Sequence, residues 1–142
     1  MIKQISVFVE NKMGRMAEIT KTIGEAGVDI RALSVADTSD FGILRLIVDR
    51  PEEAVESLRK AGITVTLTDV VAVGVDDIPG GLASAIEAIS NAEINIEYMY
   101  AFISRTGGKA YVILRVDNIE SAATALEQRG IQLLSGEEIY NM

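Results

Sequence analysis

Residues 7–17, VFVENKMGRMA, recur 66 positions later as residues 73–83, VGVDDIPGGLA. In each stretch, alternating apolar residues lead to an acidic residue and then to a glycine, after which apolar residues recur at helical spacing. The pattern predicts a strand that turns at the glycine into a helix. The chain is therefore built around one repeated unit.

The repeat extends through both halves of the chain. Ile23, Ala26 and Ile30 match Ile89, Ala92 and Ile96 at the same shift of 66 residues, whereas Leu46 and Gly62 match Leu114 and Gly130 at a shift of 68. The second copy has therefore gained two residues, which we place near Thr106-Gly107-Gly108 because insertions are tolerated in hairpin loops. We expect two domains, residues 1–68 and 69–142.

Each half predicts the element order βαββαβ. The predicted elements of the first half are a strand at residues 5–9, a helix from Gly14 to the C′ residue Gly27, strands at 30–36 and 43–48, a helix from Pro51 and a strand at 63–67. Those of the second half are strands at 71–75, 94–102, 110–116 and 131–134 and helices at 81–91 and 119–129. We expect a polar turn at residues 37–40, a Thr68-Asp69 link, and a capped turn with Ser135 as N-cap and Glu138 at N3.

This order predicts an α+β fold of the ferredoxin-like type, repeated twice, with antiparallel sheets that carry both helices on one face. The first strands carry apolar residues at both odd and even positions, so both faces of the sheet are apolar. The face without helices is therefore expected to need a partner. We expect a homodimer that covers it; the alternative is that these residues form the core of a monomer.

Composition narrows the classes of function. The 142 residues contain no Cys and no His, which removes thiolate nucleophiles, the commonest transition-metal ligands and the commonest acid–base group near neutral pH. The net charge of −8 disfavours nucleic acid. No secretory signal and no apolar run of membrane-spanning length is visible. We therefore expect a cytoplasmic protein with no cofactor, no metal, no nucleic acid and no membrane partner.

The loops after the first strands are the segments most suited to binding a ligand. They run from Glu10 to Met16 and from Asp76 to Leu82. The first amides of a helix lack intrahelical partners, and glycine allows close approach, so an anion such as a carboxylate suits this position. The structural alternative is that Asn11 and Asp77 cap the helices and the glycines only permit the turn.

The second copy combines Asp77-x-Pro79-Gly80, a helix, and then Ala92-x-Ile94-Asn95-Ile96. The first copy combines Asn11-x-x-Gly14-Arg15-Met16-Ala17 with Ala26-Gly27-Val28-Asp29-Ile30. Together these motifs resemble the ACT domain, and the resemblance covers essentially the whole chain as a stand-alone tandem ACT protein without a catalytic domain.

The resemblance implies a regulatory protein that binds an amino acid at an interface between paired ACT domains. The ligand's carboxylate would meet the loop and helix after the first strand, and its amino group the start of the second strand from a neighbouring copy. The residues so implied are Asn11, Met13, Gly14, Arg15, Met16, Ala17, Asp29 and Ile30 in the first copy and Asp77, Pro79, Gly80, Gly81, Leu82, Asn95 and Ile96 in the second. We favour the first loop for the carboxylate, with the second copy contributing Asn95 and Ile96, since Asn11 is neutral and Arg15 is near, whereas Asp77 is acidic.

Two other functions are weighed against this one. A small ferredoxin-like enzyme acting on an acyl phosphate is the alternative, with Arg15 polarising a phosphoryl oxygen. An RNA-binding sheet is disfavoured by the negative charge, although Tyr98, Tyr100 and Phe102 share one parity of a strand. We expect no catalytic residues, and a regulated enzyme or transcription factor as the partner in trans.

Overall fold

The computed structural model describes residues 2–37, 40–103 and 107–142. Internal contacts divide the chain into two compact units. The first unit consists of Lys3–Thr68 with Tyr140–Met142, and the second consists of Asp69–Ile139 with the N-terminal end of the chain. Parts of the predicted turn at residues 37–40 (Thr38, Ser39) and of the predicted insertion (Thr106) lie outside the described residues.

The first unit is a sheet with two helices. Its elements are β1 (Ile2–Glu10), α1 (Arg15–Glu25), β2 (Ile30–Asp37), β3 (Phe41–Val48), α2 (Pro51–Lys60) and the beginning of β4 (Val65–Asp76). The strand order is β2-β3-β1-β4, with β3 antiparallel to both β1 and β2. As predicted, Gly27 ends α1: its φ is +72°, and the Val28 amide returns to the Ile23 carbonyl.

The second unit repeats this arrangement with the rest of β4. Its further elements are α3 (Gly81–Asn91), β5 (Ile96–Ala101), β6 (Lys109–Val116), α4 (Ile119–Gln128), β7 (Gln132–Leu133) and α5 (Gly136–Tyr140). The strand order is β5-β6-β4-β7, and β6 is antiparallel to β4 and β5. The predicted ferredoxin-like fold, repeated twice, is therefore confirmed.

Each unit has its own core on the helix side of its sheet. In the first unit, Ile5 and Leu46 of the sheet pack with Ile19, Ile23 and Leu58 of the helices. In the second, the corresponding core contains Val73, Leu114, Ile89 and Leu126. The apolar periodicity of both sequence halves therefore marks the face that each helix presents to its sheet.

The opposite sheet face differs from the expectation of a bare surface. Ala32, Ile47 and Ile113 on this face are already fully buried within the single chain. Tyr98 and Tyr100 lie on the same face and their rings stack at a centroid distance of 6.5 Å, so this row is not part of the helix-side core.

The predicted link at Thr68-Asp69 is the boundary between the two units, but it does not interrupt the strand. The two strands predicted at 63–67 and 71–75 form one uninterrupted strand, β4, of 12 residues. No glycine or proline interrupts residues 63–73, and Thr66, Thr68 and Val70 are β-branched residues that favour extended backbone.

The predicted capped turn near the C-terminus is confirmed. The Glu138 amide donates to Ser135 Oγ at 3.2 Å, and the Ser135 amide donates to Glu138 Oε2 at 3.0 Å. This reciprocal pair is a capping box, and it begins the short helix α5.

Candidate functional site

The two glycine loops have the same backbone. The Lys12 amide donates to the Glu10 carbonyl at 2.8 Å, and the Ile78 amide donates to the Asp76 carbonyl at 2.9 Å. Gly14 and Gly80 follow with φ of 87° and 84°, a left-handed conformation that favours glycine. The repeat thus conserves the loop's geometry within the chain although most of its side chains differ.

Neither Asn11 nor Asp77 caps the following helix. The N-cap residues of α1 and α3 are Gly14 and Gly80, and neither helix has a side-chain cap hydrogen bond. Both amino-terminal ends therefore keep first-turn amides that no side chain caps, together with the positive end of the helix dipole. The capping alternative is wrong, because Asn11 and Asp77 precede the N-cap by three residues.

A pocket of about 350 Å³ lies beside the first loop, entirely within the first unit. It is bounded by the end of β1, the first turns of α1, the start of β3 and the segment between α2 and β4. We call it the first-unit pocket; its lining residues are Phe8, Val9, Glu10, Arg15, Glu18, Ile19, Phe41, Gly62, Ile63 and Thr64. Its volume is at the lower end of the roughly 300–1,000 Å³ typical of ligand sites, which suits a small molecule.

The second unit has a pocket of the same volume at the equivalent place. We call it the second-unit pocket; its lining residues are Gly74, Val75, Asp76, Ile78, Pro79, Gly80, Gly81, Ser84, Lys109, Arg129, Gly130, Ile131 and Gln132. At shifts of 66 and 68 residues, nine of the ten first-unit positions recur in this set, all except Ile19. The pocket is therefore part of the repeated unit, not an accident of one copy.

Charged groups of both signs surround the first-unit pocket. The Arg15 guanidinium lies 3.0 Å from Glu18 Oε2 and 3.4 Å from Glu10 Oε1, and Lys12 Nζ lies 2.8 Å from Glu10 Oε2. Lys12, by its hydrogen bond and its charge, and then Arg15 hold the pKa of the Glu10 carboxyl below its ordinary value. Glu10 is therefore ionised at neutral pH.

The strand-two residues lie at the other end of the first unit's sheet. Ile30 pairs with Val48, whereas Glu10 pairs with Phe41 at the opposite end of β3. At roughly 3.3 Å per residue, the two ends are about 20 Å apart. Asp29 and Ile30 therefore do not join the first-unit pocket within their own unit.

Asp29 and Asn95 also have a structural role. The Asp29 amide donates to Asp49 Oδ1 at 2.8 Å, and the Asp49 amide returns to the Asp29 carbonyl at 3.1 Å. Asn95 and Asp117 repeat this exchange, at 3.2 Å in both directions. The Asp29 carboxylate also forms an ion pair with Arg31.

Only some of the predicted loop residues line the pockets. Arg15 does so in the first unit, and Pro79, Gly80 and Gly81 do so in the second. Met13 is fully exposed at the loop tip. The other predicted loop residues, which lie near the pockets but are not among their linings, are Asn11, Gly14, Met16, Ala17, Asp77 and Leu82.

The sequence analysis missed two sides of the first-unit pocket, the one formed by phenylalanine residues and the one formed by the segment between α2 and β4. Phe8, Phe41 and Thr64 were not among the predicted site residues, and Gly62-Ile63 was interpreted only as a helix end and the start of a strand. The signal was present, because Gly62 and Ile63 match Gly130 and Ile131 in the repeat.

A family model described as an ACT domain pair matches residues 1–142. The chain belongs to the ACT domain pair family. The predicted tandem ACT organisation is thereby confirmed.

Solved structures agree with this assignment. The chain is similar to protein BT0572 from Bacteroides thetaiotaomicron, with 34% identity, a TM-score of 0.93 and coverage of 99% of this chain and 96% of that one. It also resembles the ligand-free regulatory subunit of aspartate kinase from Thermus thermophilus, with 20% identity, a TM-score of 0.67 and coverage of 89% and 91%. The corresponding subunit from Thermus flavus matches at 19% identity, a TM-score of 0.60 and coverage of 90% and 92%. At these lower identities the likeness concerns the fold.

A search of curated proteins finds no match. Among the described residues, no helix is long and apolar enough to cross a membrane.

Proposed function

We propose that this ACT domain pair is a non-catalytic regulatory protein that binds a free amino acid in the first-unit pocket. The observation that supports this most is the pocket's combination of groups: an uncapped helix end with Arg15, two carboxylates, and an apolar wall. An amino acid carries the complementary set of carboxylate, ammonium and side chain.

In the proposed complex, the ligand's carboxylate binds the Arg15 guanidinium and the first amides of α1. Charge-assisted hydrogen bonds of this kind are stronger than neutral ones. The ligand's carboxylate takes the place of the Glu10 or Glu18 side chain on Arg15. The glutamate that is released then binds the ligand's ammonium group. Lys12 and Arg15 lower the pKa of Glu10, and the ammonium group would replace part of the positive charge that the carboxylate now has beside it.

The ACT resemblance further implies that a neighbouring ACT copy closes the ligand site with residues at the start of its second strand. Those residues are Asp29 and Ile30 or Asn95 and Ile96, and their contribution to binding stays a prediction.

The proposed output is regulation of another protein, an enzyme or a transcription factor, in trans. Two of the similar structures are described as regulatory subunits of aspartate kinase. Ligand binding would act by favouring one arrangement or reducing the mobility of the domains, which is how a site without chemistry is coupled to a distant one.

The phosphoryl-transfer alternative loses support from the site's charges. Arg15, the one cation among the described residues that line the first-unit pocket, is flanked by the carboxylates of Glu10 and Glu18. These carboxylates would repel a phosphoryl dianion more strongly than a carboxylate monoanion, and a phosphoryl compound has no ammonium group to bind them.

We also propose that the chain forms a homodimer. Leu33 and Val35 are exposed on β2, which is the edge strand of the first unit's sheet. An edge strand with exposed apolar side chains is suited to pairing with another chain.

The proposed ligand class is tested by thermal unfolding of the intact chain with each of the 20 standard amino acids. A true ligand stabilises the folded state by about 2.7 kcal/mol at one hundred times its Kd. At least one amino acid should raise the Tm in a concentration-dependent manner. The absence of any shift up to tens of millimolar would count against amino-acid binding.

A further inference from the structure

Two phenylalanine rings form one wall of the first-unit pocket. The ring centroids of Phe8 and Phe41 lie 6.3 Å apart with an interplanar angle of 45°, and each residue keeps 45% of its surface exposed. Ile19 and Ile63 also line the pocket, but they belong to the helix-side core of the first unit.

An exposed aromatic pair inside a concave site indicates a binding surface for an apolar group. Apolar side chains that line a pocket lose contact with water when a ligand covers them, and this burial drives binding. The two rings contact each other with their planes inclined. They therefore form one continuous apolar surface against which a ligand can pack, and they do not form a slot between parallel rings.

The second-unit pocket lacks this wall. Gly74 occupies the position of Phe8, and the Gln132 side chain lies 3.0 Å from where a Cβ at Gly74 would stand. Lys109 occupies the position of Phe41 and forms an ion pair with Asp76 at 2.7 Å. The equivalent surface in the second unit is therefore polar and already paired.

From this difference we infer that the first-unit pocket selects amino acids with a large apolar side chain, such as leucine or phenylalanine. This inference rests on the proposed function, because it assigns the ligand's side chain to the Phe8–Phe41 wall once its carboxylate is held by Arg15. The aromatic rings of the Phe8–Phe41 wall offer no hydrogen-bonding group to a charged side chain, so acidic and basic side chains are disfavoured there.

The size of the selectivity follows from the burial of hydrocarbon. Each methylene that leaves water strengthens binding about fourfold. Leucine has three more carbons than alanine, so full burial would favour it about sixtyfold. Because the pocket is open to solvent, we expect a preference of about tenfold or more.

The test is isothermal titration calorimetry of leucine, phenylalanine, alanine, aspartate and lysine into the intact chain and into Phe41→Lys. The variant reproduces a pairing that the second unit already contains, since Phe41 pairs with Glu10 as Lys109 pairs with Asp76. The variant is therefore expected to fold. Phe8→Thr is a second variant of the wall, and Leu67→Thr is the matched control, because Leu67 is 44% exposed and does not line this pocket.

We expect leucine and phenylalanine to bind the wild type about tenfold or more tightly than alanine. Phe41→Lys and Phe8→Thr should each weaken leucine binding about tenfold and reduce its advantage over alanine, whereas Leu67→Thr should change neither.

Two outcomes would overturn the inference in different ways. Tightest binding of aspartate, lysine or alanine, with both wall variants unaffected, would refute the apolar selectivity and leave amino-acid binding intact. If none of the amino acids binds the wild type, the proposed function fails and the inference with it.

Discussion

Gly81 and Gly24 are both helical glycines, but their surroundings are opposite. A Cβ at Gly81 would clash with the Asp76 carbonyl oxygen, whereas a Cβ at Gly24 would meet nothing within 4 Å. Gly81→Ala should therefore lower the free energy of unfolding by about 1–3 kcal/mol, as overpacking against backbone does. Gly24→Ala should raise it by about 0.5–1 kcal/mol, because alanine favours the helix.

Chemical denaturation of both glycine variants measures this difference. Equal effects in the two variants would contradict the close approach at Gly81. That approach also shows that Gly81, which the ACT resemblance places in the ligand site, is required by the packing of its own loop.

The pKa of Glu10 depends chiefly on Lys12. Lys12→Gln should move the titration of the Glu10 carboxyl upward, toward its ordinary value, because a hydrogen bond and a positive charge are both lost. Lys21→Gln is the control, since Lys21 pairs with Glu25, 3.8 Å away. NMR titration of the Glu10 side chain measures the shift, and an unchanged titration in Lys12→Gln would refute it.

The sign of the pH effect follows from a pKa that is lowered on folding. Any stabilisation from Glu10 is present above its unfolded pKa and is lost as the pH falls through the folded pKa. Ammonium binding by Glu10 should weaken over the same acidic range.

At the scale of elements, the helices α2 and α4 are repeats of each other that begin differently. Asn118 is the N-cap of α4 and its Oδ1 accepts a hydrogen bond from the Ser121 amide at 3.1 Å, whereas Arg50 at the start of α2 makes no side-chain cap. Asn118→Ala should lower the free energy of unfolding by about 1 kcal/mol.

The matched control for this cap is Asn91→Ala, at the exposed last residue of α3. Its effect should stay within about 0.5 kcal/mol, as is usual at surface positions. If urea denaturation gives the same loss for both variants, the Asn118 cap contributes nothing specific.

The element order was predictable from the sequence because two patterns agreed. Apolar periodicity indicated whether each segment is a helix or a strand. The repeat then provided a second, independent copy of each segment, as where Gly62 and Gly130 each follow a helix. The continuity of β4 was not predictable, because Thr68-Asp69 has the polarity of a link although nothing in it interrupts a strand.

At the scale of the whole molecule, the site was only partly predictable. The loops from Glu10 and Asp76 were identified because glycine and acidic residues stand out in a short segment. Phe8 and Phe41 were not, because they are 33 residues apart in sequence and meet only when β1 pairs with β3. Their exposure, which distinguishes them from core residues, is a property of the folded unit.

The two units have the same pocket position and volume with different linings. The repeat therefore keeps the position and volume of the pocket, while the Phe8–Phe41 wall in one unit and the Lys109–Asp76 pair in the other give the two pockets different chemistry. This difference assigns the proposed ligand to the first unit.

The most direct test of amino-acid binding in the first-unit pocket is calorimetric titration of leucine into the intact chain, Arg15→Gln and Lys21→Gln. Both substitutions remove one cation from α1, half-buried at Arg15 and exposed at Lys21, and only Arg15 lines the pocket. Wild type and Lys21→Gln should bind leucine with equal affinity, and Arg15→Gln should lose about 1.5–3 kcal/mol, the value of a charge-assisted hydrogen bond, or at least tenfold in Kd. Equal affinity in all three proteins, or no binding of leucine or any other amino acid by the wild type, would contradict the proposal.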